Sequence, residues 1–151
     1  MYDRVLVTTD GSTASEGAIE HAIDLAEQYG ATLHALYVVD SAAYASLEMA
    51  ADVVADELRS EGSEVVGAIA DRAADAGVTT ETAIETGVVH RTIVDYADRE
   101  GIDLVVMGTH GRTGVDRFLL GSVAEKVVRT ADAPVMTVRS NAGADDGDTA
   151  E

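Results

Sequence analysis

Four glycines, an arginine and a histidine gather in one stretch of this 151-residue chain: Met107-Gly108-Thr109-His110-Gly111-Arg112-Thr113-Gly114, continuing to Leu120-Gly121-Ser122-Val123. Glycines let a backbone approach a ligand without a Cβ in the way. A helix that opens at Ser122 presents unpaired N–H groups and the positive end of its dipole, a combination that suits phosphate. Ser122 adds a hydroxyl donor and Arg112 a forked cation. The stretch reads as a phosphate cradle. It is not a P-loop, which needs Gly-Lys before Ser or Thr, since Lys126 lies too far along the helix; nor does it hold the dinucleotide pattern GxGxxG.

The elements that position this loop follow from periodicity. Residues 4–8 form a β-branched run, stopped by Thr9-Asp10-Gly11-Ser12. Ala18, Ile19, Ala22, Ile23, Ala26 and Tyr29 then mark an amphipathic helix, with Ser12 or Thr13 as candidate cap, Thr13 and Glu16 at capping-box spacing and Gly30 as its end. Thr32 to Val39 reads as a strand. A long helix is predicted over 44–76, with Gly62 and Gly67 as places where it bends or splits. Val78 to Glu85 is the next strand, 88–100 a helix closed by Gly101, and Ile102 to Met107 a strand apolar at both parities, hence buried on both faces. After the loop come a helix over 122–131 and a last strand from Pro134 to Arg139. The order βαβαβαβαβ implies an α/β fold with a doubly wound, five-stranded parallel sheet and helices on both faces. Open sheets of this kind bind ligands at the carboxyl ends of their strands, which is where the loop lies.

Composition narrows the classes. One domain of this length buries about 70% of the surface that its unfolded chain exposes. With 28 acidic and 10 basic residues the formal charge is −18, which excludes a nucleic-acid partner, because phosphate backbones need a basic face. Nine of the basic residues are Arg and only Lys126 is Lys, an acid-rich, lysine-poor surface suited to a halophilic cytoplasm near molar salt. There the Debye length is about 3 Å and acidic self-repulsion is screened. The absence of Cys removes disulfides and thiolate sites. No apolar run approaches membrane length and no leader pattern opens the chain, so a cytoplasmic location is expected. Ser140 to Glu151 carries four acids, no base and nothing apolar larger than Ala, and is expected to be a disordered acidic tail after a domain at 1–139.

Gly108-x2-Gly111-x9-Gly121-Ser122 resembles the ATP-binding motif G-x2-G-x9-G-[ST] of the universal stress proteins. The strand 102–107 before it, Ala133-Pro134-Val135 after it, and Val5-Leu6-Val7-Thr8-Thr9-Asp10-Gly11-Ser12 near the start agree, so the likeness covers about 2–139. The resemblance implies strand order 3-2-1-4-5, a homodimer joined through the last strand, and ATP, with or without Mg, as ligand. It places Thr9 and Asp10 at the nucleoside, Asp10 bonding the ribose or the adenine edge. Val38, or Val39 after a one-residue slip, would offer its backbone to adenine, and Met107 and Gly108 would line the floor. Gly111, Arg112, Gly121, Ser122 and Val123 would hold the phosphates. The third helix opens Gly87-Val88-Val89 where many relatives carry a proline, a departure remote from the nucleotide.

Plainer readings stand beside these. Asp10 could serve the following helix as a cap; His110 could touch phosphate or magnesium, or only solvent; Asp116 and Arg117 could be a surface pair; and Gly114 could be turn chemistry. His21, His34 and His90 show no metal-ligand spacing with one another and read as structural, leaving the metal-binding residues unknown. A phosphoacceptor receiver domain would need clustered acids after the first strand and a lysine ending the last. A flavodoxin-like protein would need its phosphate loop after the first strand. No dedicated catalytic base is recognisable. The reading is an ATP-binding stress-response regulator, a dimeric sensor or adaptor with an unknown protein partner. Slow magnesium-dependent ATP hydrolysis is the alternative.

Overall fold

The computed structural model describes residues 1–43, 51–110 and 120–139. Its strands are β1 (Arg4–Thr9), β2 (Thr32–Asp40), β3 (Thr80–Gly87), β4 (Leu104–Gly108) and β5 (Val135–Val138). Its helices are α1 (Glu16–Tyr29), α2 (Ala51–Asp75), α3 (Val89–Glu100) and α4 (Ser122–Thr130), with short 3₁₀ turns at Thr13–Ser15 and Ser41–Ala43. The five strands form one parallel sheet in the order β3-β2-β1-β4-β5, the doubly wound order expected.

Alternation along the strands divides the core in two. Val5 and Val7 of β1, Leu33, Ala35, Tyr37 and Val39 of β2, and Leu104 and Val106 of β4 pack with α1 and α2 on one face. Leu6, Leu36, Val105 and Met107 point the other way, against Ile93, Tyr96 and Ala97 of α3 and Ala124 and Val127 of α4. β1 lies between two strands and two helix layers, and Val5, Leu6 and Val7 are wholly buried.

Where observed elements differ from the sequence reading, long-range contacts or turn bonding explain it. α2 runs unbroken from 51 to 75; the part expected at 44–50 lies outside the described residues. Gly62 does not split it. A methyl there would stand 2.6 Å from the Tyr37 ring, so the glycine lets α2 lie close on β2. β3 and β4 each begin two residues late because Val78 and Ile102 first close the preceding helix: their N–H groups reach Ala73 O at 2.8 Å and Ala97 O at 2.9 Å. The expected caps of α1 do not form. Thr13 starts the 3₁₀ turn, Ser15 takes the N-cap position, and neither Ser12 nor Ser15 makes a side-chain cap bond.

Candidate functional site

The sheet order reverses between β1 and β4, and at their carboxyl ends two connections leave on opposite sides, opening the crevice where such folds hold ligands. Thr9 ends β1 and is buried. Its Oγ1 accepts from Gly11 N–H at 3.0 Å and bonds Ser15 Oγ at 2.8 Å, and Ser15 Oγ donates to Ser12 O at 2.9 Å. Thr9 is thus the peg of the turn rather than a group facing out. Asp10, half-buried, follows it. Its Oδ1 accepts from Ser12 N at 2.9 Å and from Ser12 Oγ at 2.5 Å, an Asx-type turn that fixes the carboxylate at the strand end. Gly11 has φ +82°, a conformation costly for any residue with a Cβ.

β2 runs past β1. Thr32 N donates to Asp3 O on the β1 side and Leu33 N to Thr79 O on the β3 side, so even-numbered peptides of β2 face β1. The β1 register ends at Thr9↔Tyr37, and the next N–H along β1, that of Gly11, is bonded to Thr9 Oγ1. The Val38 carbonyl is therefore aimed past the end of β1 into the crevice, while Val39 is turned to β3. Of the two positions named from the sequence, Val38 is thus the one on the β1 side.

On the β4 side Met107 is buried in the second core and makes floor rather than wall. A Cβ on Gly108 would stand 2.9 Å from Ala14 O, so the glycine lets the end of β4 press on the 3₁₀ turn after β1. Thr109 is clamped between elements: its N–H donates to Val138 O at 3.1 Å and its carbonyl accepts from Gly121 N–H at 2.8 Å. Gly121 is the N-cap of α4. A Cβ there would meet Thr109 O at 2.8 Å and His110 Cα at 3.3 Å. The glycine is thus required by the loop's own backbone, whatever binds. Gly121 has no side chain with which to cap α4, and among the described residues no side chain bonds the first-turn N–H groups of Ser122, Val123 and Ala124. Ser122 is exposed and Val123 packs into the second core. His110 Nδ1 lies 3.1 Å from Thr109 Oγ1.

The structure thus brings Thr9, Asp10, Val38, Met107, Gly108, Gly121, Ser122 and Val123 to one end of the sheet. Gly111 and Arg112, with Gly114, Asp116 and Arg117, lie outside the described residues. Ala14, Ser15 and Thr109 were not singled out by sequence: Ala14 and Thr109 act through main-chain atoms and Ser15 through a buried hydroxyl, none of which leaves a spacing signal.

Residues 1–139 match the Universal stress protein family. The chain belongs to the universal stress protein family. It is 38% identical over 141 residues to universal stress protein MJ0531 of Methanocaldococcus jannaschii, covering 92% of this chain and 83% of that one. Among solved structures, that of the M. jannaschii protein MJ0577 superposes with a TM-score of 0.83 at 31% identity, over 91% of this universal stress protein and 96% of the other. A universal stress protein crystallised in complex with cAMP superposes with a TM-score of 0.70 at 27% identity, over 93% and 98% of the two chains. Nucleotide binding is thus found among proteins of this fold and family.

Proposed function

We propose that this universal stress protein binds an adenine nucleotide, ATP with magnesium, at the carboxyl ends of β1, β2 and β4, and acts in the cytoplasm as a dimeric nucleotide sensor or adaptor in a stress response. The observation that carries the reading is the start of α4, whose side-chain-less N-cap Gly121 is bonded to Thr109 O just beyond the end of β4. Around it, the Val38 carbonyl meets the exocyclic amine of adenine, and Asp10 meets the ribose hydroxyls or the base edge. Gly111, Arg112, Ser122 and Val123 take the phosphates, over a floor of Met107 and Gly108. Thr9 supports the site from below. Among the described residues none is placed as a base for hydrolysis, so retention of ATP is the expected behaviour. The cAMP bound by one relative supports a nucleotide of this class.

The test is the nucleotide itself. Mass spectrometry of protein purified without added nucleotide is expected to find ATP. Titration with ATP and magnesium is expected to give one site per chain, weakened about tenfold by Asp10→Ala, or about 1.4 kcal/mol. Because long-range repulsion from a chain of charge −18 is screened by salt while contacts within the site are short, affinity should hold or rise towards molar potassium chloride. Absence of binding by folded protein at every salt concentration would overturn the reading.

The two sheet edges differ in a way that supports the dimer. β3 (TETAIETG) carries Glu81 and Glu85, charges that deter pairing at an edge, whereas β5 (VMTV) carries none and is half-buried throughout. Thr137→Pro, which removes a ladder donor, is expected to convert the dimer to monomer by light scattering. Residues 140–151 lie outside the described residues, and their removal is expected to leave nucleotide binding unchanged.

A further inference from the structure

At the other end of the sheet, near the amino ends of β2 and β3, a buried histidine has one ring nitrogen with nothing to bond. His34 is 2% exposed. Its Nδ1 lies 2.8 Å from the Tyr96 hydroxyl, and its Nε2 is buried without a hydrogen-bond partner. His34 is in register with Glu81 of β3, so the two side chains share the face covered by α3, and Glu100 is the last residue of that helix. A ring nitrogen of His34 and one carboxylate oxygen from each glutamate lie within 4.8 Å of one another. Among the described residues this is the one place where three such groups converge.

We propose that His34, Glu81 and Glu100 form a binding site for a divalent transition metal of the zinc class, remote from the nucleotide crevice and independent of it. An orphaned buried nitrogen is a costly feature that folded proteins normally satisfy, and a cation between the carboxylates and Nε2 satisfies it. The Tyr96 contact is compatible with the tautomer this requires: Nδ1–H donates to the phenol oxygen, leaving the Nε2 lone pair for the metal, as ligating histidines are commonly oriented. Burial, the largest influence, holds the imidazole below its ordinary proton affinity, and Arg4 adds to this against the opposing pull of Glu81 and Glu100. The Tyr96 phenol, pushed up to about 12, mainly by burial, keeps its proton.

One imidazole nitrogen and two carboxylates suit zinc, with water in the remaining position. Magnesium and calcium instead favour sites made wholly of oxygen. A span of up to 4.8 Å is wider than a bound ion needs. Glu81 is exposed and Glu100 half-buried, so both can swing inward by side-chain rotation while His34 stays fixed in the core. Arg99, whose Nε lies 3.5 Å from Glu100, is an exposed competitor that a dication displaces. Bound metal would tie β2, β3 and the end of α3 together.

The test uses the full chain, stripped with chelator and free of nucleotide, titrated with zinc chloride by calorimetry in millimolar magnesium to occupy non-specific acidic sites. The expected result is one equivalent of zinc. Glu81→Gln and Glu100→Gln should each weaken it about tenfold or more, and Glu20→Gln, on the exposed face of α1, should leave it unchanged. Because His34 substitution threatens the core, the wild-type imidazole is followed instead: zinc should shift the Nε2 nitrogen resonance of His34 in NMR. Absence of saturable zinc binding, affinity unchanged in the double variant E81Q/E100Q, or a His34 resonance that does not move would each overturn the proposal.

Discussion

At the amino ends of the strands, three of the four turns that carry a helix back into the sheet repeat one arrangement. Gly30, Gly77 and Gly101 take left-handed conformations with φ of +64°, +78° and +65°. The next residue, Ala31, Val78 or Ile102, sends its N–H back to a carbonyl five residues earlier at 2.9, 2.8 and 2.9 Å and buries its side chain. This is the Schellman closure with its apolar contact. At the carboxyl ends a different device recurs: Asp10 Oδ1 accepts from Ser12 N–H at 2.9 Å after β1, and Asp40 Oδ1 from Ala42 N–H at 3.0 Å after β2. The β1 turn hangs on Thr9 and Asp10, and the β4 loop is clamped by Val138 and by the N-cap of α4. The three helix-to-strand turns are closed within six residues of chain, whereas the β4 loop is held by contacts between segments farther apart in sequence.

Substitutions that trade one kind of turn against the other separate the two. The largest effect is expected from Gly121→Val, whose branched side chain must displace the Thr109 carbonyl. Overpacking of this kind costs about 1–3 kcal/mol. Because the displaced backbone is that of the crevice, ATP affinity should fall about a hundredfold or more, as titration calorimetry would measure. Retained affinity would show that this clamp does not shape the site. Thr9→Val comes next. It keeps the shape but leaves the Gly11 N–H and Ser15 hydroxyl without Thr9 Oγ1, at about 1–2 kcal/mol in urea unfolding, with a smaller loss of ATP affinity. Gly30→Ala is expected to be the mildest. Nothing lies within 4 Å of the added methyl, so only the left-handed backbone resists, at about 1–2 kcal/mol, and nucleotide binding should not change. If Gly30→Ala disturbed binding as much as Thr9→Val, the independence of the two ends would be lost.

The same difference explains what the sequence reveals. Gly30 and Gly101 mark helix ends by local chemistry, and the alternation of apolar runs with helical stripes is enough to order nine elements into a doubly wound sheet. Periodicity places two strand starts two residues early, at Val78 and Ile102, because it sees their apolar side chains but not that their N–H groups are spent closing helices. In the crevice, the glycine spacing points to a loop of which 111–119 lie outside the described residues. The reason for two of those glycines lies with partners from elsewhere in the chain, Ala14 O for Gly108 and Thr109 O for Gly121. That Val38 and not Val39 lies on the β1 side follows from the hydrogen-bond parity of β2, which the sequence does not display. His34 read as structural because its carboxylate neighbours come from β3 and the end of α3, positions that sequence separation gives no reason to associate.

The central position of β1 has a consequence for how the molecule is made. β1 pairs with β2 within a short stretch of chain, but its other edge waits for β4, about a hundred residues later, where Asp103 Oδ2 receives the N–H groups of Asp3 and Arg4 at 2.8 and 2.9 Å. A chain emerging from the ribosome can lay down β1, α1, β2, α2 and β3 with one face covered, while Leu6 and Leu36 on the other face have no helix over them. Closing the long β1–β4 loop is the slow, entropically costly step, and only that step brings the two walls of the crevice together. A nucleotide therefore gives no help to the early half of folding. It can act only as a latch on the finished sheet, slowing its opening rather than speeding its formation.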